Sequence, residues 1–277
     1  MIRLNYFIRK AENMSLEDFQ QYWLDKHAAL VVKNTPALRI RRYVQAHTLD
    51  DDADGEMMRQ MYNATAEGYD GVAEFWWKSR QDLAEALQTP EGEEAAAELM
   101  EDERRFVDFS RSLLYFCVEI PQINPPGSIV AREDNMLLKG YFVGHAHPGL
   151  SVKDTQFHWM TCHGALARQY EQFIPYQRYL QLHVFEDPVA DQWRAARGRM
   201  EEFAPFGHAE VWLDRRDLAA PAGPEAGESF GYFAQDIEEF IDVSKSPLFV
   251  AKEHVIVGKK IMNMPLPVPA SAPPDPT

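Results

Sequence analysis

Apolar and polar positions alternate over residues 2–9 (IRLNYFIR), a period of two that predicts a β-strand. From Ser15 the period lengthens. Leu16, Phe19, Trp23, His27 and Leu30 recur at steps of three and four, laying one apolar stripe along a helix that Ser15 is suited to cap and Pro36 to end. Strand patterns return at 38–48 and 70–77, separated by an acidic loop from Asp50 to Gly55 and an irregular stretch to Gly68. A helical pattern covers 79–108, with Pro90 as a break, and 112–120 gives a fourth strand. This β-α-β-β-α-β order is that of the ferredoxin-like unit.

The pattern then repeats. Strands are predicted at 137–145, 176–186, 206–213 and 247–257, and helices at 151–171 and 229–242. Individual residues repeat with it at an offset of 136: Trp23 and His27 with Trp159 and His163; Tyr43, Gln45 and His47 with Tyr179, Gln181 and His183; Glu74 and Trp76 with Glu210 and Trp212. Chance does not align so many Trp, His and Tyr residues at one spacing, so the chain reads as a tandem duplication. The first module spans 1–122 and the second 134–260, joined by a Pro- and Gly-punctuated linker at 123–133. A Pro-rich tail, 261–277, suits neither helix nor central strand.

A four-stranded sheet with helices on one side leaves its other side bare. Two modules turned face to face would bury both bare sides and enclose a lumen. The expected fold is therefore α+β, two ferredoxin-like modules forming one barrel. Alternation along each strand assigns the lumen residues. If the small Val44 and Ala46 lie under the helices, then Tyr43, Gln45 and His47 face inward, as do Tyr179, Gln181 and His183. Glu74 and Trp76 follow on the third strand, with His208, Glu210 and Trp212 in the repeat; the first strands supply Asn5, Phe7 and Arg9, and Tyr141, Val143 and His145.

Aromatic walls with a few convergent polar groups suit a small-molecule pocket. A histidine near a carboxylate suits proton transfer, because imidazole titrates near neutrality. Burial raises a carboxyl pKa, which makes Glu74 and Glu210 candidate bases. The alternatives are structural: His27 and His163 as core residues of an apolar stripe, His47 and His183 as strand-end histidines, and Glu74 and Glu210 in ion pairs with Arg9, Arg42 or Arg178.

Composition narrows the field. The formal net charge of −15 over 277 residues disfavours nucleic acid or an anionic membrane as partner. Two cysteines without zinc spacing point to a reducing compartment, and the absence of a leader or a long apolar run to the cytoplasm. His145, His147 and His158 add local density, but the histidines spread over strands and a helix, so no metal is expected. The acidic run 50–55 lacks the closing Glu of a calcium loop. Neither GxGxxG, a P-loop nor GxSxG occurs.

The segment MSLEDFQQYWLDKHAAL resembles the first-helix signature of the EthD family; YVQAH resembles its second strand, YDGVAEFWWKSRQDL its third strand and following helix, and DERRFVDFSRS that helix's end. In the repeat, FHWMTCHGAL and YLQLH fit, whereas HAEVWLDRRDL lacks the Tyr-Asp-Gly lead-in. The resemblance implies the dimeric α+β barrel fold. It further implies chemistry like that of relatives associated with ether and aromatic degradation, polyketide decarboxylation and, in the muconolactone-isomerase-like branch, cofactor-free isomerisation with the helix-one histidine at the active site. His27 and His163 occupy that position. The expectation is a cofactor-independent lyase or isomerase acting on a small aromatic, lactone or polyketide-like acid. His27, His163, His47, His183, Glu74 and Glu210 would be catalytic. Tyr43, Gln45, Trp76, Arg9, Tyr179, Gln181, His145, His208 and Trp212 would bind substrate. A cofactor-free or haem-dependent monooxygenase and a non-catalytic binding protein are the alternatives, and the chain is expected as a monomer or homodimer.

Overall fold

The computed structural model describes residues 1–127, 129–198, 205–218 and 223–258; the Pro-rich tail lies outside them. The first half runs β1 (Ile2–Ile8), α1 (Leu16–Tyr22), α2 (Ala28–Asn34), β2 (Arg42–Thr48), α3 (Ala53–Met61), β3 (Gly71–Trp77), α4 (Arg80–Leu87), α5 (Pro90–Glu103) and β4 (Leu113–Ile123). The second runs β5 (Leu137–Gly144), α6 (Val152–His158), α7 (Gly164–Gln169), β6 (Tyr176–Phe185), α8 (Pro188–Ala196), β7 (Gly207–Asp214), α9 (Arg215–Leu218), α10 (Pro224–Phe240) and β8 (Leu248–Val257). The fold is mixed α+β. Among the described residues no helix is long and apolar enough to cross a membrane.

The eight strands close into one antiparallel barrel in the order β1-β3-β2-β8-β5-β7-β6-β4. The first four strands are neighbours as β4-β1-β3-β2 and the last four as β8-β5-β7-β6. The two groups close into one barrel around a common interior, as the bare-face reasoning expects. They meet edge to edge through the β2–β8 and β4–β6 ladders, which satisfy the backbone groups an open edge would leave unpaired.

Helices cover the outside. Leu4, Tyr6, Ile8, Ala73 and Trp77 pack outward against Phe19, Trp23, Val31, Leu83, Leu99 and Phe106. The inner set includes Phe7, Ala46, Val72, Tyr115, Tyr141, Leu182, Trp212 and Phe249. Ser15 caps α1 through the Asp18 N–H, and Thr89 caps α5 with Pro90 in its first turn, so the expected break at Pro90 is a helix start.

Two stretches depart from the sequence reading. The acidic loop at 50–55 contains the start of α3: the Asp52 side chain accepts from the Asp54 and Gly55 N–H groups, and Arg215 pairs with Asp52 and Asp54. In the second half, Asp187 starts α8 in the same manner. These two nine-residue helices begin 135 residues apart and each lies over strands of the other half: α3 against β8, α8 against β4.

Between α1 and α2, and again between α6 and α7, the helix passes through a π turn, Trp23–His27 and Trp159–His163. Each brings a tryptophan against the start of the third strand of its half. A Cβ on Gly71 would come 2.5 Å from the Trp23 ring, and one on Gly207 would come 2.3 Å from the Leu182 carbonyl and 2.8 Å from the Trp159 ring. Only glycine permits this approach.

Candidate functional site

The lumen holds a charge cluster rather than an open pocket. Glu74 accepts from Lys139 Nζ and the Tyr141 hydroxyl, each at 2.5 Å, and lies 2.9 Å from Arg3 Nη2. Glu210 pairs with Arg3 and lies 3.2 Å from Lys139. Trp76 Nε1 donates to Glu119 (2.9 Å), and Trp212 Nε1 to Glu253 (2.8 Å). Arg3 and Lys139 share the repeat offset of 136 and the parity of Asn5 and Phe7; strand alternation extended one step would have found them. The expected partners lie elsewhere. Arg42 and Arg178 sit over the Trp76 and Trp212 rings at 5.2 and 5.3 Å, and Arg9 donates to the Gly68 and Glu67 carbonyls.

Burial pushes Glu74 up to about 7, with Arg3 and Lys139 opposing it and Glu210 adding to it. Burial opposes the Glu210 charge too, but Arg3 and Lys139 outweigh it and hold Glu210 well below the usual range. Burial lowers His208 to about 4. Its Nδ1 accepts from the Tyr115 hydroxyl (2.8 Å), while Nε2 lies 3.3 Å from Glu210. Glu74, Glu210 and Trp212 border none of the cavities described below, and the same is true of Trp76 and His208. Glu74 and Glu210 are members of a buried ion-pair network, the structural alternative weighed for them. His145 directly follows β5, with its N–H on Ser246 Oγ and its carbonyl accepting from the Asp242 N–H.

The facing of β2 and β6 is the reverse of the expectation. Trp23 Nε1 donates to the Tyr43 hydroxyl (3.0 Å), Gln45 Nε2 donates to the Trp23 carbonyl (2.9 Å), and the His47 ring stacks on Trp23 at 4.8 Å. Trp159, Tyr179, Gln181 and His183 repeat the arrangement, with distances of 2.9, 2.8 and 4.7 Å. These six strand residues face the helix layer. The small Ala46 belongs inside, where Phe7, Tyr69 and Phe249 already crowd the space, and the glutamines are used on the π-turn carbonyls. Burial lowers His47 to about 3 and His183 to about 4, so both imidazoles are neutral at neutral pH.

His27 and His163 also lie in the helix layer. His27 Nδ1 is 2.8 Å from Asp102 Oδ2, and His163 Nδ1 is 2.8 Å from Asp236 Oδ2. An ionised carboxylate only accepts, so Nδ1 carries the proton and Nε2 of the neutral ring is the proton acceptor. Tyr22 donates to Asp102 at 2.7 Å, and His158 Nε2 lies 2.8 Å from Asp236. Bonding from His27 holds Asp102 below its ordinary value. Burial works against Asp236, but the bonds and charges of His163 and His158 outweigh it and lower it. Neither aspartate was singled out in the sequence; each lies on the helix that faces the histidine.

The cavities lie between sheet and helices. In the second half a space of about 1340 Å³ is bordered by Met58, Tyr62, Tyr176, Phe230 and Phe233, among others. Met58, Tyr62 and Tyr176 also border a smaller space of about 40 Å³ that reaches His163 and Tyr179. The Tyr62 and Tyr176 hydroxyls are 3.1 Å apart. Burial raises all three tyrosines, which keeps their hydroxyls protonated. Among the described residues no histidine borders the large space itself; His163 borders the smaller one. In the first half a cavity of about 370 Å³ lies under α5, and His27 does not border it.

A comparison with protein-family models matches residues 11–110 to one described as the EthD domain. This segment is an EthD domain. It runs from the turn after β1 to the turn before β4 and holds the π turn, the Trp23–Gln45–His47 unit and the His27–Asp102 pair. No curated protein matches the chain significantly. Among solved structures, a candidate monooxygenase from Fusobacterium nucleatum is 5% identical with a TM-score of 0.49, covering 92% of both chains. A candidate chlorite dismutase is 11% identical with a TM-score of 0.44, covering 93% of this chain and 96% of that one. A dye-decolorizing peroxidase from Bacteroides thetaiotaomicron is 7% identical with a TM-score of 0.42, covering 90% and 92%. Outside the EthD domain, the second half repeats its strand order and its His–Asp pair.

Proposed function

We propose that the protein is an enzyme of the dimeric α+β barrel type, built from tandem ferredoxin-like modules at 1–122 and 134–260, that moves a proton on a small aromatic or polyketide-like acid without a cofactor. The observation that carries this reading is His163, bonded to Asp236, bordering the small space of about 40 Å³ that adjoins the larger aromatic one at Met58, Tyr62 and Tyr176. Asp236 fixes the Nδ1–H tautomer and stabilises the imidazolium that forms, leaving Nε2 as the base. Tyrosine hydroxyls with raised pKa values donate to the oxygen on which negative charge develops. In an isomerisation, the imidazole takes a proton from one carbon and returns it to another. In a decarboxylation, the imidazole first takes the proton of the substrate's carboxylic acid; the electrons of the breaking C–C bond then enter the conjugated system as CO2 leaves, and the imidazolium so formed returns that proton to the carbon. Catalysis is assigned to the second half because His27, though paired alike, does not border the 370 Å³ cavity of its own half.

The test is turnover of a panel of aromatic and polyketide-derived acids, followed as isomer or CO2 formed, with oxygen monitored in parallel. His163→Ala should lower kcat about 100-fold or more and Asp236→Asn about tenfold. Oxygen consumed in step with substrate would replace the reading with oxygenation. Undiminished turnover in His163→Ala would remove it.

A further inference from the structure

We propose that the 370 Å³ cavity under α5 is a second ligand site, distinct from the His163 space, and that it takes an uncharged flat aromatic ketone or phenol.

The cavity's volume falls in the range of small-molecule pockets. Tyr6, Phe75 and Trp77 give it a sheet-side wall of aromatic rings, and Trp193 and Arg197 close it from the other half. Such a slot suits a planar ring system. One end is polar. Arg197 donates to Glu103 from Nε at 2.7 Å and Nη2 at 3.0 Å. Beside this pair the Tyr6 hydroxyl, on a side chain only 4% exposed, interacts with Arg197, which can only donate, so the hydroxyl's own proton has no acceptor among the described residues. A buried hydroxyl proton left without an acceptor is unfavourable, and a ligand oxygen placed there relieves it.

Charge selects the ligand class. Glu103 already neutralises Arg197, so the polar end has no spare positive charge, and a carboxylate ligand would lose its hydration without a counter-ion. A carbonyl or phenolic oxygen needs only the Tyr6 donor. The second half does not repeat this chemistry. At the offsets of the repeat, Tyr6 corresponds to Phe142, Glu103 to Ile237 and Arg197 to Tyr62. The two cavities are thus matched in place and different in preference.

The experiment titrates the full-length protein calorimetrically with 2-naphthol, neutral at neutral pH, and with 2-naphthoate as the anionic control. Expected is single-site binding of 2-naphthol, weaker binding of 2-naphthoate, a loss of about tenfold in Tyr6→Phe and near-complete loss in Ala196→Trp, which fills the cavity. His163→Ala should bind 2-naphthol as the parent does, which separates this site from the proposed catalytic one. Tyr6→Phe is conservative and keeps the test meaningful if Ala196→Trp does not fold. The proposal is overturned if 2-naphthol does not bind, if Tyr6→Phe leaves its affinity unchanged, if 2-naphthoate binds more tightly, or if His163→Ala abolishes binding.

Discussion

Arg197 and Tyr62 occupy the same place in their respective halves: each is the residue that ends its nine-residue helix, α8 or α3, and each borders the cavity of the opposite half. Arg197 forms a bidentate ion pair with Glu103, both side chains about one-tenth exposed. Removing one partner strands the other charge in a poorly solvated site. Glu103→Gln should destabilise the protein by about 3 kcal/mol, and Tyr62→Phe by under about 1 kcal/mol, read as shifts of the urea midpoint.

The lumen cluster predicts unequal glutamates. Glu74 is pushed up to about 7 and already spends part of its time neutral, whereas Glu210 stays charged against Arg3 and Lys139. At about pH 6, Glu210→Gln should cost about 3–5 kcal/mol by uncovering buried cations, and Glu74→Gln clearly less. Denaturant titrations of the two variants at the same pH decide it; equal losses would mean that the glutamates are equally ionised.

Acid should destabilise the fold before carboxylates titrate. Burial sets His47 at about 3 and His145, His183 and His208 at about 4 in the folded state. Between these values and the unfolded value of about 6.5, the unfolded chain binds more protons. Stability from these groups is complete above about 6.5 and is lost as pH falls toward 4. Glu74 acts in the opposite sense: its raised pKa contributes below about 4.5 and is lost as pH rises through 7. Four imidazoles outweigh one carboxyl, so thermal midpoints should fall steadily from about pH 6.5 to pH 4. His208→Phe should flatten that slope.

The glycines under the π turns should tolerate no side chain. Gly207→Ala drives a Cβ toward a backbone carbonyl as well as a tryptophan ring, whereas Gly71→Ala meets chiefly the ring. Losses of about 1–3 kcal/mol are expected, larger for Gly207→Ala, together with altered near-ultraviolet dichroism from Trp159.

The barrel's strands and outer helices are legible because their periods are local. All eight strands fall where alternation places them, and the facing of β1, β3 and β7 follows from it. The facing of β2 and β6 is not legible in this way. Both faces of Tyr43–Val44–Gln45–Ala46–His47 are acceptable as buried surface, and the decision belongs to the Trp23 carbonyl, which lies on a different element. α3 and α8 are hidden for a related reason: each is only nine residues long, too short for its period to show, and what it buries lies in the distant half. His27 and His163 are visible through the family's helix signature. Asp102 and Asp236, the hydrogen-bond partners of those histidines, emerge only when helices far apart in sequence are packed together.

The crossing of α3 and α8 bears on how such a molecule diversifies. Separate identical chains paired about a symmetry axis would carry twin chambers, and any substitution would alter both at once. Here each wall is encoded once, so a single codon change can retune one chamber and spare the other. Physically detaching the halves would leave each chamber missing a side.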